Sequence, residues 1–152
     1  TFNIAGLQVS NIVIDNLDLR RKVWKACLQT GYSSLNTMAI CATKAAYKHG
    51  HLWLDKLMDY LEDNVCLTQN VLGKKRDIAL IRPEATYLVW LDLRNMNLDK
   101  DGLDAFFVDT LGLWLSNGSI FGESGTGFMR MNIATQKSIL EEALHRIDMA
   151  VH

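Results

Sequence analysis

The stretch LSNGSIFGESGTGFMRMNIAT, residues 115–135, concentrates the residues of this chain whose types could do chemistry. Arg130 stands in the middle of FMRMNIA, a short apolar run with strand character. A guanidinium there is costly to bury unless an anion meets it. Its planar fork suits a carboxylate gripped by two parallel hydrogen bonds. Two blander readings stand beside that one: Arg130 on the wet face of the strand, or Arg130 paired with an internal Asp or Glu. Gly118, Gly122, Gly125 and Gly127 would let a loop pass close to a ligand. A phosphate cradle requires strand, glycines and then helix. Here the glycines precede a strand, which makes a phosphate loop the weaker reading.

Other candidates carry less. Cys27, Cys41 and Cys66 form no CxxC pair and lie far apart in helix-like segments, so buried free thiols are expected rather than a metal site. Asn117-Gly118-Ser119 matches the glycosylation pattern, but so short a match is frequent and nothing else suggests secretion. Lys74-Lys75-Arg76 reads as a solvated helix end. Sixteen basic against seventeen acidic side chains give a net charge of −1, with no basic excess to attract nucleic acid or an anionic membrane. The apolar runs are too short to span a bilayer. A reducing, cytoplasmic setting is expected.

The elements that must position these residues are legible from periodicity. Ile12-Val13-Ile14 has the β-branched look of a buried strand. Residues 15–30 carry a mostly helical apolar spacing that Gly31 ends. Ser34 is expected to cap a second helix, with Leu35, Met38, Ala39, Ala42 and Ala46 inward and Gly50 closing it. A third helix over 51–72 follows the pattern of Leu54, Leu57, Met58, Leu61 and Val65. Past Gly73 the texture changes. Strands are predicted over 78–81 and 87–93 around the turn at Arg82-Pro83-Glu84. A short helix over 101–111, strands over 113–115 and 128–134, and a terminal amphipathic helix over 135–150 complete the order. Ser138 and Glu141 stand in capping-box spacing, which shifts the start of that last helix by up to a turn. The first fifty residues, with one strand and two helices, look like part of something larger. Periodicity alone gives a mixed α and β protein.

Four phrases, in order, add a family. Thr1-Phe2-Asn3-Ile4-Ala5-Gly6-Leu7-Gln8 resembles the segment directly after the cofactor lysine in fold-type-I pyridoxal-phosphate enzymes, where the cystathionine β-lyase (C–S lyase) branch reads Ser-Lys-Thr-Phe-Asn-x-Ala-Gly-Leu-Gln. Ala46-Tyr47 through Gly50 to Trp53-Leu54, then Glu84-Ala85-Thr86-Tyr87-Leu88-Val89-Trp90-Leu91-Asp92, then Phe121-Gly122 through Gly127-Phe128-Met129-Arg130-Met131-Asn132, continue the likeness over essentially the whole chain. Two departures bear on the branch: Ala85 stands where the family usually has Gly, and Thr135-Gln136-Lys137 where it often has Cys-Pro-Arg.

The resemblance implies an α/β enzyme of the aminotransferase class I/II fold, of which this chain is the C-terminal part. Residues 1–50 would end the large pyridoxal-phosphate-binding domain, 51–72 would form a long connecting helix, and 73–152 a small α+β domain. No catalytic residue is then expected in this chain, because the Schiff-base lysine would immediately precede Thr1, leaving the fragment alone inactive. Arg130 would bind the substrate's α-carboxylate. Gln8, where many relatives carry an arginine reaching the cofactor phosphate, would offer a weaker neutral contact. Asn3 is expected to be structural, and Tyr87 and Trp90 core or pocket wall. The implied function is pyridoxal 5'-phosphate-dependent C–S lysis of an amino acid, giving pyruvate, ammonia and a thiol. An aminotransferase of the same fold is the alternative, and a non-catalytic interaction domain is the alternative of another class. The expected partners are the rest of the same enzyme and a second subunit, with no nucleic acid and no membrane.

Overall fold

The computed structural model describes every residue except Ser33 and His152. The chain divides into two compact units, Thr1–Leu57 and Met58–His152.

In the first unit, Ala5–Leu7 makes a single 3-10 turn, and Asn3 (φ 51°) and Gln8 (φ 55°) on either side adopt left-handed backbone. The strand expected at Ile12-Val13-Ile14 does not form. A strand exists only through hydrogen bonds to a neighbour, and no described segment of this unit pairs with it. Helix α1 (Leu17–Gln29) starts at Asn16, whose Oδ1 accepts the Leu19 N–H at 2.9 Å. It closes at Gly31, which takes φ 80°. Helix α2 (Thr37–His49) is capped by Asn36 rather than Ser34. Asn36 has two anchors that local spacing does not reveal: its Oδ1 accepts the Ala39 N–H at 2.7 Å and its Nδ2 donates to the Leu7 carbonyl at 3.0 Å.

Phe2 draws two of the motif phrases together. Its ring meets Tyr47 edge-on at 5.7 Å and stacks with Trp53 at 6.1 Å, and a Cβ on Gly50 would come within 2.6 Å of it. Burial in this unit is otherwise thin. Of the face expected inward on α2, only Ala39 is buried, while Met38 is 70% exposed. Trp24 on α1 is 60% exposed. The thiols follow suit: Cys41 is exposed and Cys27 half-buried, as Cys66 of the second unit is exposed, so none is the buried thiol expected from helical spacing. The amphipathic pattern exists, but within this unit little covers it.

Helix α3 (His51–Leu72) begins in the first unit and continues into the second, where Leu61, Val65 and Leu72 are buried. The second unit is built on a four-stranded antiparallel sheet in the order β1 (Ala79–Ile81), β2 (Leu88–Asp92), β4 (Phe128–Asn132), β3 (Ser116–Asn117). Alternation decides its faces. Val89 and Leu91 of β2, with Met129 and Met131 of β4, join a core containing Val65 and Leu72 of α3 and Leu140, Leu144 and Ile147 of helix α5 (Lys137–Ala150). Asn64, fully buried, donates from Nδ2 to the Ile133 carbonyl at 2.8 Å, tying α3 to the end of β4.

The expected helix over 101–111 is a short α4 (Lys100–Ala105) followed by a π-helical turn, Phe106–Thr110. Asp99 caps α4 by accepting the Gly102 N–H at 2.8 Å. Leu113-Trp114-Leu115 is not a strand. Leu113 and Leu115 do lean on the core, as alternation implies, but the ladder to β4 holds only Ser116 and Asn117. The middle of the basic triplet serves the fold: Lys75 Nζ donates to the carbonyls of Asp148 (2.8 Å) and Val151 (3.0 Å) and pairs with Asp148 Oδ1 at 2.7 Å. No helix among the described residues is long and apolar enough to cross a membrane.

Candidate functional site

The face of the sheet opposite the core displays the other half of the alternation. Leu88, Trp90 and Asp92 of β2 and Phe128 and Arg130 of β4 are half-buried there, and Asn132 is exposed. Register places Arg130 directly across from Trp90 on one side and from Ser116 on the other. The Arg130 guanidinium carbon lies 4.3 Å from the centroid of the Phe121 ring, and Nη2 reaches Ser116 Oγ at 3.4 Å, the outer limit of a hydrogen bond.

Arg130 makes no ion pair among the described residues. It thereby differs from Arg21, Arg82, Arg94 and Arg146, each of which meets a carboxylate. It is also half-buried, whereas every other arginine is exposed. Arg130 thus lies on the face of the strand away from the core, half-buried, and no Asp or Glu among the described residues pairs with it. The acid on this face is already taken. Arg94 donates from Nε to Asp92 Oδ1 at 2.9 Å and from Nη2 to Oδ2 at 2.6 Å, and lies over the Phe128 ring at 5.0 Å.

Arg94 also sets the ionisation of Asp92. Its side-chain hydrogen bonds hold the Asp92 carboxyl below the usual carboxylate range, against partial burial, and the Arg94 backbone N–H adds to the effect. A depressed carboxylate contributes stability that is present above its unfolded pKa, about 3.9 for Asp, and is lost as pH falls through the folded value. Asp92→Asn should therefore lower the melting temperature at pH 7. The gap to the parent protein should close as pH drops below about 4. Thermal melts of both proteins across pH 3–7 check this.

The loop between β3 and β4 delivers Phe121. Asn117 is buried; its Oδ1 accepts the Ser119 N–H at 3.1 Å and the Ser119 hydroxyl at 2.9 Å, while Nδ2 donates to Asp104 Oδ1 at 3.0 Å and the Lys100 carbonyl at 3.2 Å. So engaged, it is not an available glycosylation acceptor. Gly118–Phe121 and Glu123–Gly125 are two short 3-10 turns. Gly118 and Gly125 cross so closely that a Cβ on either would overlap the other's carbonyl oxygen. Gly118 and Gly125 serve this backbone crossing, Gly122 and Gly127 take positive φ, and all four precede a strand, not a helix, so the loop lacks the order of a phosphate cradle. The sequence flagged the glycines and Arg130 but missed Phe121 and Asn117 as their supports. The Phe121-Gly122 phrase was the available signal for the first.

Gln8 belongs to the first unit. It caps the 3-10 turn through its N–H to the Ala5 carbonyl at 2.9 Å, and its side chain is exposed. Lys44 and Lys56 are exposed on α2 and α3. Tyr87 leans on the core, and Trp90 instead packs edge-on against Phe121 (5.5 Å) and Phe128 (6.3 Å). Among the described residues no group of three or more His, Cys, Asp or Glu could hold a metal ion.

No family model matches the chain. Known proteins do. The cystathionine beta-lyase PatB of Bacillus subtilis is 37% identical over 99% of this chain and 39% of its own length. Cystalysin from Treponema denticola, whose crystal structure contains pyridoxal 5'-phosphate, superimposes on 98% of the chain with a TM-score of 0.91 and 31% identity. The chain matches the C-terminal part of fold-type-I pyridoxal-phosphate enzymes. A pyridoxal-phosphate-bound C–S lyase from Staphylococcus hominis, with the inhibitor L-cycloserine, matches 97% of the chain at 33% identity and a TM-score of 0.82. In each case the likeness covers the C-terminal part, and the chain spans between 36% and 39% of the relative's length. The small antiparallel sheet with its helices matches the C-terminal domain of this fold type.

Proposed function

We propose that this chain is the C-terminal part of a pyridoxal-phosphate-dependent C–S lyase of the cystathionine β-lyase kind, and that Arg130 binds the substrate's α-carboxylate. One observation carries the second statement: a half-buried guanidinium, unpaired among the described residues, on the open face of the sheet. The low-dielectric side of that position strengthens a charge-assisted, two-pronged bond. The reaction would convert a thioether amino acid and water into a thiol, pyruvate and ammonia.

The side chains present fit that cofactor and its substrate in the donors they offer. Arg130 has N–H groups unpaired with any acid among the described residues, and the exposed Gln8 carboxamide can donate to a phosphate oxygen. Pyridoxal phosphate, when bound, supplies an electron sink that stabilises negative charge at the amino acid's Cα. The chain's own contribution is orientation. Holding the carboxylate by two bonds fixes the plane of the substrate backbone and so the direction of the Cα–H bond. The aromatic wall of Trp90, Phe121 and Phe128 keeps water from part of that face.

Within this reading, residues 1–50 end the large cofactor-binding domain, 51–72 connect, and 73–152 form the small domain. The uncovered apolar sides of α1 and α2 meet the remainder of the same enzyme, which works as a homodimer in the cytoplasm. Product analysis on the full-length protein tests the activity. Pyruvate, ammonia and free thiol from L-cystathionine support the lyase, whereas a new amino acid formed only when a keto acid is added overturns it in favour of transamination.

A further inference from the structure

We infer that Phe121 is a positioning residue for Arg130: the face of its ring holds the guanidinium in place while leaving the N–H edge open for a carboxylate. The inference rests on the reading of Arg130 as the carboxylate's partner and adds a residue to it.

The geometry distinguishes two ways of fixing an arginine. A carboxylate partner, such as Asp92 gives Arg94, restrains the side chain but occupies the in-plane N–H groups that recognition needs. A ring face attracts the cation through its quadrupole and takes up no carboxylate-like acceptor position. Arg130 has the second kind of partner, its guanidinium carbon 4.3 Å from the Phe121 centroid, and among the described residues only the long contact to Ser116 besides. A long, unanchored arginine would lose its rotamer freedom at the moment of binding, which weakens affinity; prior anchoring removes that loss.

Phe121 is suited to the task. It remains 47% exposed, which is not how a ring serving only the core is placed. It is itself fixed from two sides: Trp90 packs against it at 5.5 Å, and its loop is locked by Asn117 and by the crossing of Gly118 and Gly125.

The test uses the full-length enzyme with Phe121→Leu, Phe121→Tyr and Arg130→Leu. Phe121→Leu should raise KM for L-cystathionine by about five- to tenfold, the size of a partly exposed cation–π contact. Its kcat should move less than about twofold, because Arg130 still grips and orients the carboxylate once substrate is bound and only its prior anchoring is lost. Phe121→Tyr, which keeps the ring face, should restore KM. Independently of turnover, the Nε–H resonance of Arg130 in arginine-labelled protein should lose its ring-current shift in the Leu variant and keep it in the Tyr variant. If Arg130→Leu weakens KM but Phe121→Leu leaves both KM and the resonance unchanged, the positioning role is wrong and the carboxylate reading stands. If Phe121→Leu lowers kcat and stability and Tyr does not rescue, the ring is structural and the inference also fails. An Arg130→Leu variant with unaltered KM removes the carboxylate reading and this inference with it.

Discussion

Arg130→Leu in the full-length enzyme should cut kcat/KM for an amino-acid substrate by roughly 10²–10³-fold, about 3–4 kcal/mol of lost binding and orientation. The size follows from what is removed. A two-pronged, charge-assisted bond at a half-buried position is lost, and the substrate carboxylate is left against an aromatic wall with nothing to neutralise it. Arg130→Lys should recover part of the loss, since an ammonium keeps the charge but not the planar fork. Retention of the cofactor, read from its visible absorbance, should not change in either variant, because the guanidinium is assigned to the substrate. Steady-state kinetics with matched absorbance spectra check both statements, and parent-like kcat/KM in Arg130→Leu would refute the assignment.

The second large effect belongs to a glycine of the loop that carries Phe121. Gly118→Ala should destabilise the second unit by about 2–3 kcal/mol, at the upper end of overpacking costs. The added methyl would meet the Gly125 carbonyl oxygen and the Phe128 carbonyl oxygen at 2.8 Å, both of them backbone atoms that cannot swing aside. Relief must come from parting the two 3-10 turns, which carries Phe121 with them. The variant should therefore lose substrate affinity as well as thermal stability. Ser119→Ala, by comparison, removes one hydroxyl bond to Asn117 and leaves the crossing intact. Chemical denaturation beside KM measurements separates the two: a stability loss with unchanged KM would show that the loop's shape does not govern the site.

How much of this was legible in the sequence depended on whether the signal was local. The helices α1, α2, α3 and α5 followed from apolar spacing to within a few residues, and FMRMN and YLVWLD read as strands, although which of their residues face the core came only from the structure. Arg130 emerged as a charge inside a short apolar strand that offered none of its own neutralisation. Strands whose existence depends on a partner were not legible. Ile12-Val13-Ile14 has the composition of a strand but no neighbour to pair with among the described residues of its unit, and Trp114 sits two residues before the ladder begins. Caps failed for a related reason: Asn36 displaced Ser34 because a carbonyl twenty-nine residues away, at Leu7, also needed a donor. The support of Arg130 by Phe121 and the locking of the loop by Asn117 are contacts across turns, invisible to any window of spacing.

Strand β4 carries Met129 and Met131 into the core and Arg130 to the opposite side, within three consecutive residues. Close packing transmits fractions of an ångström, and orientation of a bound reactant is sensitive to displacements of that order. Evolution and engineering thus meet one backbone with two masters. A methionine exchanged for the sake of heat resistance is at once an adjustment of aim, and thermal tolerance and selectivity along this strand can be tuned only as a pair.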